Sequence, residues 1–548
     1  MLQAVFSMDW SHSGVSVFGK QIARLCAVVA TRTAKEFRVL VKAALRETPT
    51  VELRLDWLAN DREREKALAW LTRAGLKKAV FIATCRRRVG GGELAGGTAQ
   101  ELYWLKKARA AGCTWCDLEV ETLQELPGQT VPRGDLPSKV MLSIHDFRRT
   151  PASLDRINSR MANGVDAVKV AAMARKLSDS TRLLRLAREN KKFVAVPMGE
   201  IGLPARILAL REGSALLYAP VAAATAPGQV GLRETKELYR AHKLTLKTRV
   251  FGVIGNPIGH SLSPLLHNTG FVAAKKDAVL LPFLLENLRE FVKLLPDFGV
   301  AGFSVTIPHK QKIFDYLDEC EPLAEKIGAV NTVTVQRGGK LVGSNTDYVG
   351  VLRSVEGKLA IKGSRVLIFG AGGAARAAAF ALARAGAELF VCARRENAAK
   401  ELARAVRGGS LKRTFLRKEK FDAIINTTPV GMYPHDGTSP LTAAELNCGL
   451  VMDMVYRPLR TKLLETAAAK GIRTISGVEM FLAQGIAQWQ LWMGTPAPVH
   501  AMRNVILKTL RAQQKQPSRQ NAPNRQAGGA VRTLLQLRCI NRDIIFDS

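Results

Sequence analysis

A single lysine interrupts a short apolar segment in the first half of the chain. The segment DAVKVAAMA, residues 166–174, has the small and β-branched composition of a buried strand, with Lys169 near its centre. Alternation along a strand puts Lys169 on the same face as Ala167 and Ala171. Burial can lower a lysine pKa by up to about 3–5 units unless the ammonium is paired. Lys169 is therefore either a salt-bridge partner or an amine able to form an imine with a ketone.

A histidine follows at the end of the neighbouring candidate strand. The sequence SIHDF puts His145 there, and an imidazole with an ordinary pKa near ~6.5 is suited to proton transfer. A lysine and a histidine meeting in one pocket would suit an imine-forming lyase or an aldolase. The residues alone leave open the alternative that Lys169 forms a structural salt bridge with Glu52 or Asp117.

The elements that would position these side chains recur regularly. Short apolar or alternating segments lie at 25–30, 51–58, 80–86, 115–121, 140–146, 167–171, 193–199 and 215–220. Stretches with helical spacing, such as AKEFRVLVKAALRE, separate them. Eight strand–helix units over about 200 residues predict a (β/α)8 barrel, with polar residues gathered at the C-terminal ends of the strands. The valine face of the Lys169 strand would meet the outer helices, so Lys169 would point into the barrel.

The second half offers a different set of polar residues. Hydroxyls occur in HSLSP, a lysine ends SVTIPHK, and amides and an aspartate occur in GAVNTV and GSNTDYVG. These residues are Ser261, Ser263, Lys310, Asn331, Asn345 and Asp347. A lysine and an aspartate beside a ketone can form a proton-transfer pair. Individually, each fragment is also typical of solvated surface.

A glycine-rich turn follows in RVLIFGAGGAARAAAF. A strand at 365–369 leads into Gly370, Gly372 and Gly373, and then into a helix. Glycines let the backbone approach a pyrophosphate, which rests on the helix N-terminus. The next strand ends in CARR, which offers Arg394 and Arg395 instead of the acidic residue typical of an NAD site. The pattern predicts a dinucleotide-binding unit that prefers NADP.

Residues of about 24–240 resemble type I 3-dehydroquinate dehydratase, through the motifs VELRLD, SIHDF, VKVA, PMG and APGQ in that order. The resemblance implies that Lys169 forms the imine with the ketone of 3-dehydroquinate. It also implies that His145 removes the neighbouring proton and then protonates the departing hydroxyl. The implied substrate-binding residues are Glu52, Arg54, Arg86, Arg206, Thr225 and Gln229.

The barrel half departs from that family at two positions. The family usually has a glutamate after the Arg86 position, in the motif EGG, where this chain has Gly90-Gly91-Gly92 followed by Glu93. Thr225 stands where a serine is common and keeps the hydroxyl. The first departure puts the geometry of this loop in question.

Residues of about 249–510 resemble shikimate dehydrogenase. The resemblance implies that Lys310 and Asp347 form the catalytic pair that delivers a proton while NADPH delivers hydride. The implied substrate-binding residues are Ser261, Ser263, Thr306, Asn331, Tyr456 and Gln484. The implied cofactor-binding residues are Gly370, Ala371, Gly372, Gly373, Ala374, Arg394, Arg395, Met454 and Gly477. Ser304 replaces a family asparagine, and Ala393-Arg394-Arg395 replaces Asn-Arg-Thr but keeps the arginine for the phosphate.

These patterns predict an α/β protein with a barrel followed by a two-lobed dehydrogenase that includes a Rossmann lobe. The predicted divisions are an extension at 1–23, the barrel at 24–240, a substrate lobe at 249–350, a cofactor lobe at 351–480, returning helices at 481–511 and a disordered tail at 512–548. A polar helical bridge is predicted at 234–249.

Charge and composition limit the partners. The net charge of +34 comes from 81 Lys and Arg against 47 Asp and Glu and favours anionic ligands. No basic run is interleaved with aromatics and no apolar run approaches about 18 residues, so neither nucleic acid nor a membrane is predicted as a partner. Eight scattered cysteines predict a reducing compartment and no metal site, because the one CxxC, at 113–116, has no second ligand pair nearby.

The chain as a whole resembles the fused dehydratase–dehydrogenase of the shikimate pathway. Two alternatives stay open: quinate oxidation in the second half, or a basic binding protein with decayed enzyme domains. The expected ligands are small molecules, 3-dehydroquinate and 3-dehydroshikimate, and the sequence leaves the oligomeric state undecided. The expected location is the cytoplasm, or a plastid if residues 1–23 belong to a transit segment.

Overall fold

The computed structural model describes residues 23–152, 154, 165–222 and 224–514. They form two compact units, which meet in sequence between Thr248 and Arg249. Nearly all of the predicted N-terminal extension and most of the predicted tail lie outside the described residues. The last helix continues to Gln514, three residues into the segment predicted as tail.

The first unit is built on eight parallel strands. They are β1 (Leu25–Val29), β2 (Thr50–Arg54), β3 (Val80–Thr84), β4 (Trp115–Glu119), β5 (Lys139–Asp146), β6 (Ala167–Met173), β7 (Phe193–Met198) and β8 (Leu217–Pro220). The order in the sheet is β7-β6-β5-β4-β3-β2-β1-β8. A backbone hydrogen bond of 2.8 Å from Ala215 N to Phe193 O links the two ends. The sheet is therefore a nearly closed barrel, and the predicted fold class is confirmed.

Helices surround this barrel where the apolar spacing predicts them. They are α1 (Ala34–Glu47), α2 (Asp61–Arg73), α3 (Thr98–Ala110), α4 (Val120–Glu125), α5 (Leu177–Glu189) and α6 (Leu203–Leu208). The α1 helix starts at Thr33, whose side chain accepts a hydrogen bond from Glu36 N, as an N-cap should. Short helices and loops at the ends of the strands leave room for polar side chains at the barrel mouth.

The two faces of β6 divide as alternation predicts. Ala167 and Ala171 pack in one cluster with Met141 on β5. Val168 and Val170 pack in another, against the α5 helix. Lys169 therefore shares the interior face of the barrel with the two alanines.

The segment predicted as a helical bridge has another structure. It forms two short turns, Glu234–Leu238 and Ala241–Lys243, instead of a continuous helix. Tyr239 and Ala241 are buried, so the segment packs into the first unit and does not form an exposed helix. Burial of Tyr239 and Ala241 therefore determines the local structure, although the polar residues of the segment have helical spacing.

The second unit begins with a six-stranded mixed sheet. Its strands are β9 (Arg249–Gly255), β10 (Ala278–Leu284), β11 (Val300–Val305), β12 (Glu319–Cys320), β13 (Thr332–Val335) and β14 (Leu341–Ser344). Their order is β10-β9-β11-β13-β14-β12, and β13 runs antiparallel to both of its neighbours. The helices are α7 (Ser263–Ala273), α8 (Leu288–Phe298) and α9 (Pro322–Ile327).

A second, all-parallel sheet follows in the same unit. Its strands are β15 (Arg365–Phe369), β16 (Glu388–Cys392), β17 (Gly409–Ser410), β18 (Phe421–Asn426), β19 (Cys448–Asp453) and β20 (Arg473–Ile475). The order β17-β16-β15-β18-β19-β20 is that of a doubly wound sheet. The helices are α10 (Asp347–Val355), α11 (Gly373–Arg384), α12 (Glu396–Ala405) and α13 (Lys462–Ala469).

Two final helices, α14 (Gly477–Met493) and α15 (Val499–Gln514), pack against the mixed sheet. Trp489 and Trp492 of α14 join a buried aromatic cluster with Phe251 and Phe271. The chain thus returns to the mixed sheet after completing the parallel one. Across the described residues, every helix is too short or too polar to cross a bilayer.

Candidate active sites

Lys169 lies inside the barrel and is only 4% exposed. Its Nζ contacts the Asp117 carboxylate, and Glu52 Oε1 is 3.6 Å away. The ammonium also lies 4.6 Å from the centre of the Tyr218 ring. Both predicted salt-bridge partners are therefore present around the lysine, and they act as counter-ions for a cation deep in the interior.

Asp117 is the centre of this charged group. Ser143 Oγ donates to Asp117 Oδ1 at 2.5 Å, and Arg86 Nη2 lies 3.3 Å from each carboxylate oxygen. Burial alone would raise the pKa of Asp117, but the Lys169 and Arg86 cations outweigh burial and hold the pKa well below its usual range. Asp117 is therefore ionised, and the sequence had indicated it only as a possible salt-bridge partner.

His145 follows on the neighbouring strand. Ser143 on β5 pairs with Lys169 on β6 in the sheet. His145 lies two residues further along β5, toward its C-terminal end, and therefore faces the same side of the sheet as Ser143. It is half-buried, and its ring stacks on Phe147 with 6.3 Å between centroids. Burial lowers the pKa of His145 well below its usual range, and the Arg86 and Lys169 cations lower it further. The imidazole is therefore neutral and able to accept a proton.

Two predicted substrate-binding arginines differ in what they contact. Arg54 forms a two-fold contact with Asp56, at 2.9 Å from Nε and 2.7 Å from Nη2. Arg206 is 2% exposed and donates from Nε to Pro197 O at 3.0 Å. Within the described part of the chain, neither Nη of Arg206 has a hydrogen-bond partner. Burial lowers the pKa of this guanidinium to about 10, so an anion such as a carboxylate would satisfy both its charge and its free donors.

The remaining predicted barrel residues lie on β2 and in the loop after β8. Gln229 Oε1 accepts hydrogen bonds from the backbone N of Thr225 at 2.7 Å and from its hydroxyl at 3.2 Å. Glu52 accepts a hydrogen bond of 2.8 Å from Thr84 on the next strand. Thr225 and Gln229 therefore meet in the loop after β8, while Glu52 faces the lysine.

In the second unit, Lys310 and Asp347 meet as the resemblance implies. Lys310 Nζ is 2.5 Å from Asp347 Oδ2, and Asn331 Nδ2 donates to the other oxygen at 2.7 Å. Asn345 Oδ1 accepts from the backbone N of Asp347 at 3.0 Å, which fixes the first residue of α10. A lysine held by a hydrogen-bonded carboxylate is an arrangement suited to proton donation.

Gln488 is a buried residue of this site that the sequence analysis missed. Its Nε2 donates to Ser304 Oγ at 3.0 Å and to Thr332 Oγ1 at 3.1 Å, and its Oε1 lies 3.3 Å from His267 Nε2. Thr332 donates in turn to Asn331 Oδ1 at 2.9 Å. The signal available was the spacing of Gln488 four residues after Gln484 on one helix. Ser304, the departure noted in the sequence, is thus the partner of Gln488.

Other predicted substrate-binding residues lie near the starts of helices, directly after strands or, for Gln484, inside α14. Ser263 N donates to Ser261 Oγ at 3.2 Å at the start of α7. Tyr456 stacks on Phe481 with 4.6 Å between ring centroids, and Gln484 donates to Phe481 O at 2.7 Å. Phe481 therefore contacts both Tyr456 and Gln484. Thr306, directly after β11, donates its backbone N to Ile254 O at 3.0 Å.

The glycine turn lies where β15 meets α11. Gly370 has a φ of 126°, and a Cβ at this position would lie 2.3 Å from Thr427 Oγ1. A Cβ on Gly373, the first residue of α11, would lie 3.4 Å from Lys310 Cδ. The turn, which also contains Ala371, Gly372 and Ala374, therefore opens a backbone cradle beside the Lys310 side chain.

The other predicted cofactor-binding residues lie around the same parallel sheet. Arg394 and Arg395 follow β16 directly, and both are exposed. A Cβ on Gly477 would lie 2.6 Å from both Met454 O and Val455 O, so Met454 and Gly477 are in contact. Two exposed cations shortly after the second strand fit a 2′-phosphate.

Family models match both units. Residues 25–245 match type I 3-dehydroquinase, residues 253–333 match the shikimate dehydrogenase substrate binding domain, and residues 477–507 match the shikimate 5'-dehydrogenase C-terminal domain. The fold and the two lysine-centred sites thus define a lyase joined to a dinucleotide-dependent oxidoreductase.

Relatives with curated names extend this result. A chloroplastic bifunctional 3-dehydroquinate dehydratase/shikimate dehydrogenase of Arabidopsis thaliana is 33% identical over 483 residues, 84% of this chain and 80% of the relative. The shikimate dehydrogenase (NADP(+)) of Methanosarcina acetivorans is 43% identical over 281 residues, 48% of this chain and 99% of the relative. A crystal structure of shikimate 5-dehydrogenase from Thermus thermophilus, in complex with NADP(H) and shikimate, is 34% identical, covers 47% of this chain and 99% of its own, and gives a TM-score of 0.44.

The chain therefore belongs to the family of bifunctional 3-dehydroquinate dehydratase/shikimate dehydrogenases. A lyase and an oxidoreductase of consecutive steps in the shikimate pathway are carried by one polypeptide.

Proposed function

We propose that the first unit dehydrates 3-dehydroquinate through an imine on Lys169, and that the second unit reduces the resulting 3-dehydroshikimate to shikimate with NADPH. The observation that carries the proposal is that each unit contains one lysine held by one buried aspartate, Asp117 in the barrel and Asp347 in the second unit. The family of the chain supports this order of the two reactions.

In the barrel, Lys169 first passes one proton to the neutral His145, and the lone pair of Nζ then attacks the ketone carbon. The proton returns to the hydroxyl formed on that carbon, which leaves as water as the protonated imine forms. The imine withdraws electrons, so the proton on the adjacent carbon becomes acidic, and the neutral His145 removes it. The electron pair forms the new C=C bond, and the hydroxyl on the next carbon leaves as water after His145 returns the proton. Hydrolysis of the imine releases the product and restores the lysine.

The free guanidinium nitrogens of Arg206 supply a site for the substrate carboxylate. Both are buried, and a planar carboxylate accepts two parallel hydrogen bonds from such a fork. Binding would therefore orient the ring with its ketone toward Lys169. Arg54 and Arg86 are already paired with Asp56 and Asp117 and define the walls of the site.

In the second unit, NADPH supplies the hydride when it is bound. The turn from Gly370 to Ala374 would hold its pyrophosphate, and Arg394 and Arg395 would hold its 2′-phosphate. Lys310 donates a proton to the carbonyl oxygen of 3-dehydroshikimate as that oxygen gains negative charge. Neither proposed reaction requires a metal, because the imine is the electron sink of one and the dinucleotide is the hydride source of the other.

A coupled assay tests both halves on the intact chain. With 3-dehydroquinate and NADPH supplied together, we expect NADPH oxidation. Lys169→Ala should abolish it while leaving the reduction of added 3-dehydroshikimate intact. Lys310→Ala should stop NADPH oxidation from either substrate while leaving dehydration intact. Retention of normal dehydration by Lys169→Ala would rule out the imine.

Borohydride provides the second measurement of the same proposal. Treatment of the chain with 3-dehydroquinate and borohydride should reduce the imine and leave a covalent adduct on Lys169, detectable by peptide mass spectrometry. Lys139, an exposed lysine at the start of β5, is the matched control and should stay unmodified. An adduct on Lys139 at the same level would contradict a specific role for Lys169.

The location in the cell stays a prediction. We propose the cytoplasm, with a plastid as the alternative suggested by the name of the Arabidopsis relative. Fusion of a fluorescent protein to the C-terminus of the full chain in the native cell separates the two.

A further inference from the structure

His267 is a buried histidine of the second unit that the proposed mechanism does not use. It lies on α7, is 0% exposed, and packs in the aromatic cluster with its ring centre 5.2 Å from that of Trp492. Its Nε2 lies 3.3 Å from Oε1 of Gln488. A histidine in such surroundings is usually a packing residue, so the direction of this hydrogen bond decides whether it has a further role.

The orientation of the Asn331 amide is fixed by two neighbours that cannot exchange roles. The backbone N of Thr346 donates to Asn331 Oδ1 at 2.7 Å, and Asn331 Nδ2 donates to Asp347 Oδ1 at 2.7 Å. The reverse orientation would place an amide NH2 against an N–H and an oxygen against a carboxylate. Asn331 Oδ1 is therefore an acceptor, and the hydroxyl of Thr332, 2.9 Å away, donates its one proton to it.

The same reasoning fixes the Gln488 amide. Because the Thr332 proton points to Asn331, Thr332 Oγ1 accepts from Gln488, whose Nε2 lies 3.1 Å away. This Nε2 also lies 3.4 Å from Asn331 O, a main-chain carbonyl that can only accept. Gln488 Oε1 therefore faces His267. Since a carbonyl oxygen cannot donate, His267 Nε2 must carry the proton of their hydrogen bond.

His267 is thus a neutral imidazole in one tautomer. Burial lowers its pKa to about 4, although the bond to Gln488 opposes this. Within the described residues, Nδ1 has no hydrogen-bond partner. Without the His267 donor, the Gln488 amide could turn over, because the Ser304 and Thr332 hydroxyls can donate to Oε1 as well as accept from Nε2. The Thr332 proton would then point to Gln488, and Asn331 would lose a donor.

We propose that His267 is a positioning residue of the dehydrogenase site. Its Nε2–H holds the Gln488 amide in one orientation, and this orientation directs the Thr332 proton to Asn331, which holds Asp347. The histidine thus acts on the catalytic carboxylate through four successive hydrogen bonds. This inference rests on the proposed function, because Asp347 affects turnover only if the second unit reduces 3-dehydroshikimate.

Two amide substitutions separate this role from packing. His267→Gln can place an N–H near the former position of Nε2, whereas the shorter side chain of His267→Asn reaches only the position of Nδ1. We expect kcat for 3-dehydroshikimate reduction to fall by about tenfold in His267→Asn, the order of effect of one lost hydrogen bond, and by less than about threefold in His267→Gln. Equal kcat values in the two folded variants would overturn the proposal.

A double-variant cycle shows whether His267 acts through Gln488. Gln488→Leu removes the acceptor, so the histidine has nothing left to orient. The kcat of His267→Asn/Gln488→Leu should therefore lie within about twofold of the kcat of Gln488→Leu alone. Losses of kcat that multiply in the double variant would contradict an action through the amide.

Phe271→Leu is the matched control for packing. Phe271 lies four residues further along α7, is 0% exposed and has its ring centre 6.3 Å from that of His267, but it carries no polar atom. This substitution should lower the melting temperature of the second unit through lost core contacts, while kcat stays within about twofold. A loss of kcat as large as that of His267→Asn would show that packing explains both, and the proposal would fail.

The tautomer can be observed without turnover. NMR of the full chain labelled with 15N in its histidine rings should show His267 protonated at Nε2 near neutral pH, and its signal is identified by its absence in His267→Gln. Protonation at Nδ1 instead would overturn the role of His267. A failure of the unsubstituted chain to reduce 3-dehydroshikimate would overturn the proposed function itself. Normal kcat in a folded His267→Asn would overturn the inference alone.

Discussion

The two lysines at the centres of the two units lie in different surroundings, although each contacts an aspartate. The Lys169 side chain is 5% exposed and has a second carboxylate, Glu52, within 3.6 Å. The Lys310 side chain is 17% exposed and contacts Asp347. An imine must form and persist away from bulk water, whereas a proton donor must reach a substrate beside a cofactor. The difference in burial thus follows the difference in the proposed chemistry.

The groups that hold the two aspartates also differ in kind. Asp117 is held by two cations and a hydroxyl, whereas Asp347 is held by one cation and an amide. The amide belongs to Asn331, which is supported by hydroxyls and by Gln488. The barrel site therefore depends on balanced charge, whereas the dehydrogenase site combines one ion pair with directed hydrogen bonds between neutral groups.

The largest expected effect comes from removing each aspartate charge. Asp117→Asn leaves Lys169 and Arg86 short of a counter-ion in the interior, so we expect a loss of about 3–5 kcal/mol in the free energy of unfolding of the first unit. Asp347→Asn removes one partner of a less deeply buried lysine and should cost the second unit less, about 1–3 kcal/mol. Amide hydrogen exchange of peptides from each unit, measured on the full chain, gives both values. Equal losses would contradict the contrast between the sites.

The second-largest effect is expected at Arg394 and Arg395, where we expect the second unit to depend on charge to bind its cofactor. Replacing Arg394 and Arg395 together by alanine should raise KM for NADPH by about 10–100-fold and leave KM for NADH nearly unchanged, because only NADPH carries the 2′-phosphate. Arg404→Ala, an exposed arginine on α12, is the control. If KM rose equally for NADPH and NADH, the two arginines would support folding of the lobe and would not bind the 2′-phosphate.

A smaller effect is expected from the neutral network of the second unit. Gln488→Leu removes the donor to Ser304 and Thr332, so Asn331 loses support and kcat for 3-dehydroshikimate reduction should fall by about tenfold. Gln490→Leu, an exposed position on the same helix, should leave kcat unchanged. A lowered melting temperature with an unchanged kcat would limit Gln488 to packing.

The smallest expected effect is a shift in the pH dependence of dehydration. The pKa of His145 is lowered by burial and by the Arg86 and Lys169 cations, and dehydration needs the neutral imidazole. Protonation that inactivates the base therefore occurs at lower pH than for an ordinary histidine. The acid limb of kcat/KM for dehydration should have its midpoint below about 6.5, the ordinary histidine value. A midpoint at or above that value would remove His145 from this role.

Local periodicity in the sequence was enough to predict those parts of the structure that depend on residues close together along the chain. Alternation around Lys169 predicted which residues of β6 face inward, and the strand–helix rhythm predicted the barrel. The Gly370 turn followed from its position between a strand and a helix. The segment from 234 to 249 was different, because burial of Tyr239 replaced the predicted helix by two short turns.

Spacing did not decide the long-range contacts of the two sites: it offered Asp117 only as one of two possible partners of Lys169, and it did not indicate the contact of Gln488. Asp117 meets Lys169 across 52 residues, and Gln488 meets Ser304 across 184 residues. Neither contact has a local pattern, because each depends on the register of strands and on the return of α14. Likewise, the loop Gly90-Gly91-Gly92 departs from the family motif in sequence, and its close approaches to Glu119, Phe147 and Arg86 could be identified only in three dimensions.

Arg206 gives the barrel a buried cation that an anionic ligand can pair with. Its two buried Nη groups have no partner among the described residues, and an unsatisfied guanidinium lowers the stability of the free protein. A carboxylate ligand binds only the folded barrel, so its binding energy adds directly to the resistance of the first unit to heat and proteolysis. The melting temperature of the first unit is therefore expected to rise with the concentration of a carboxylate ligand that binds Arg206.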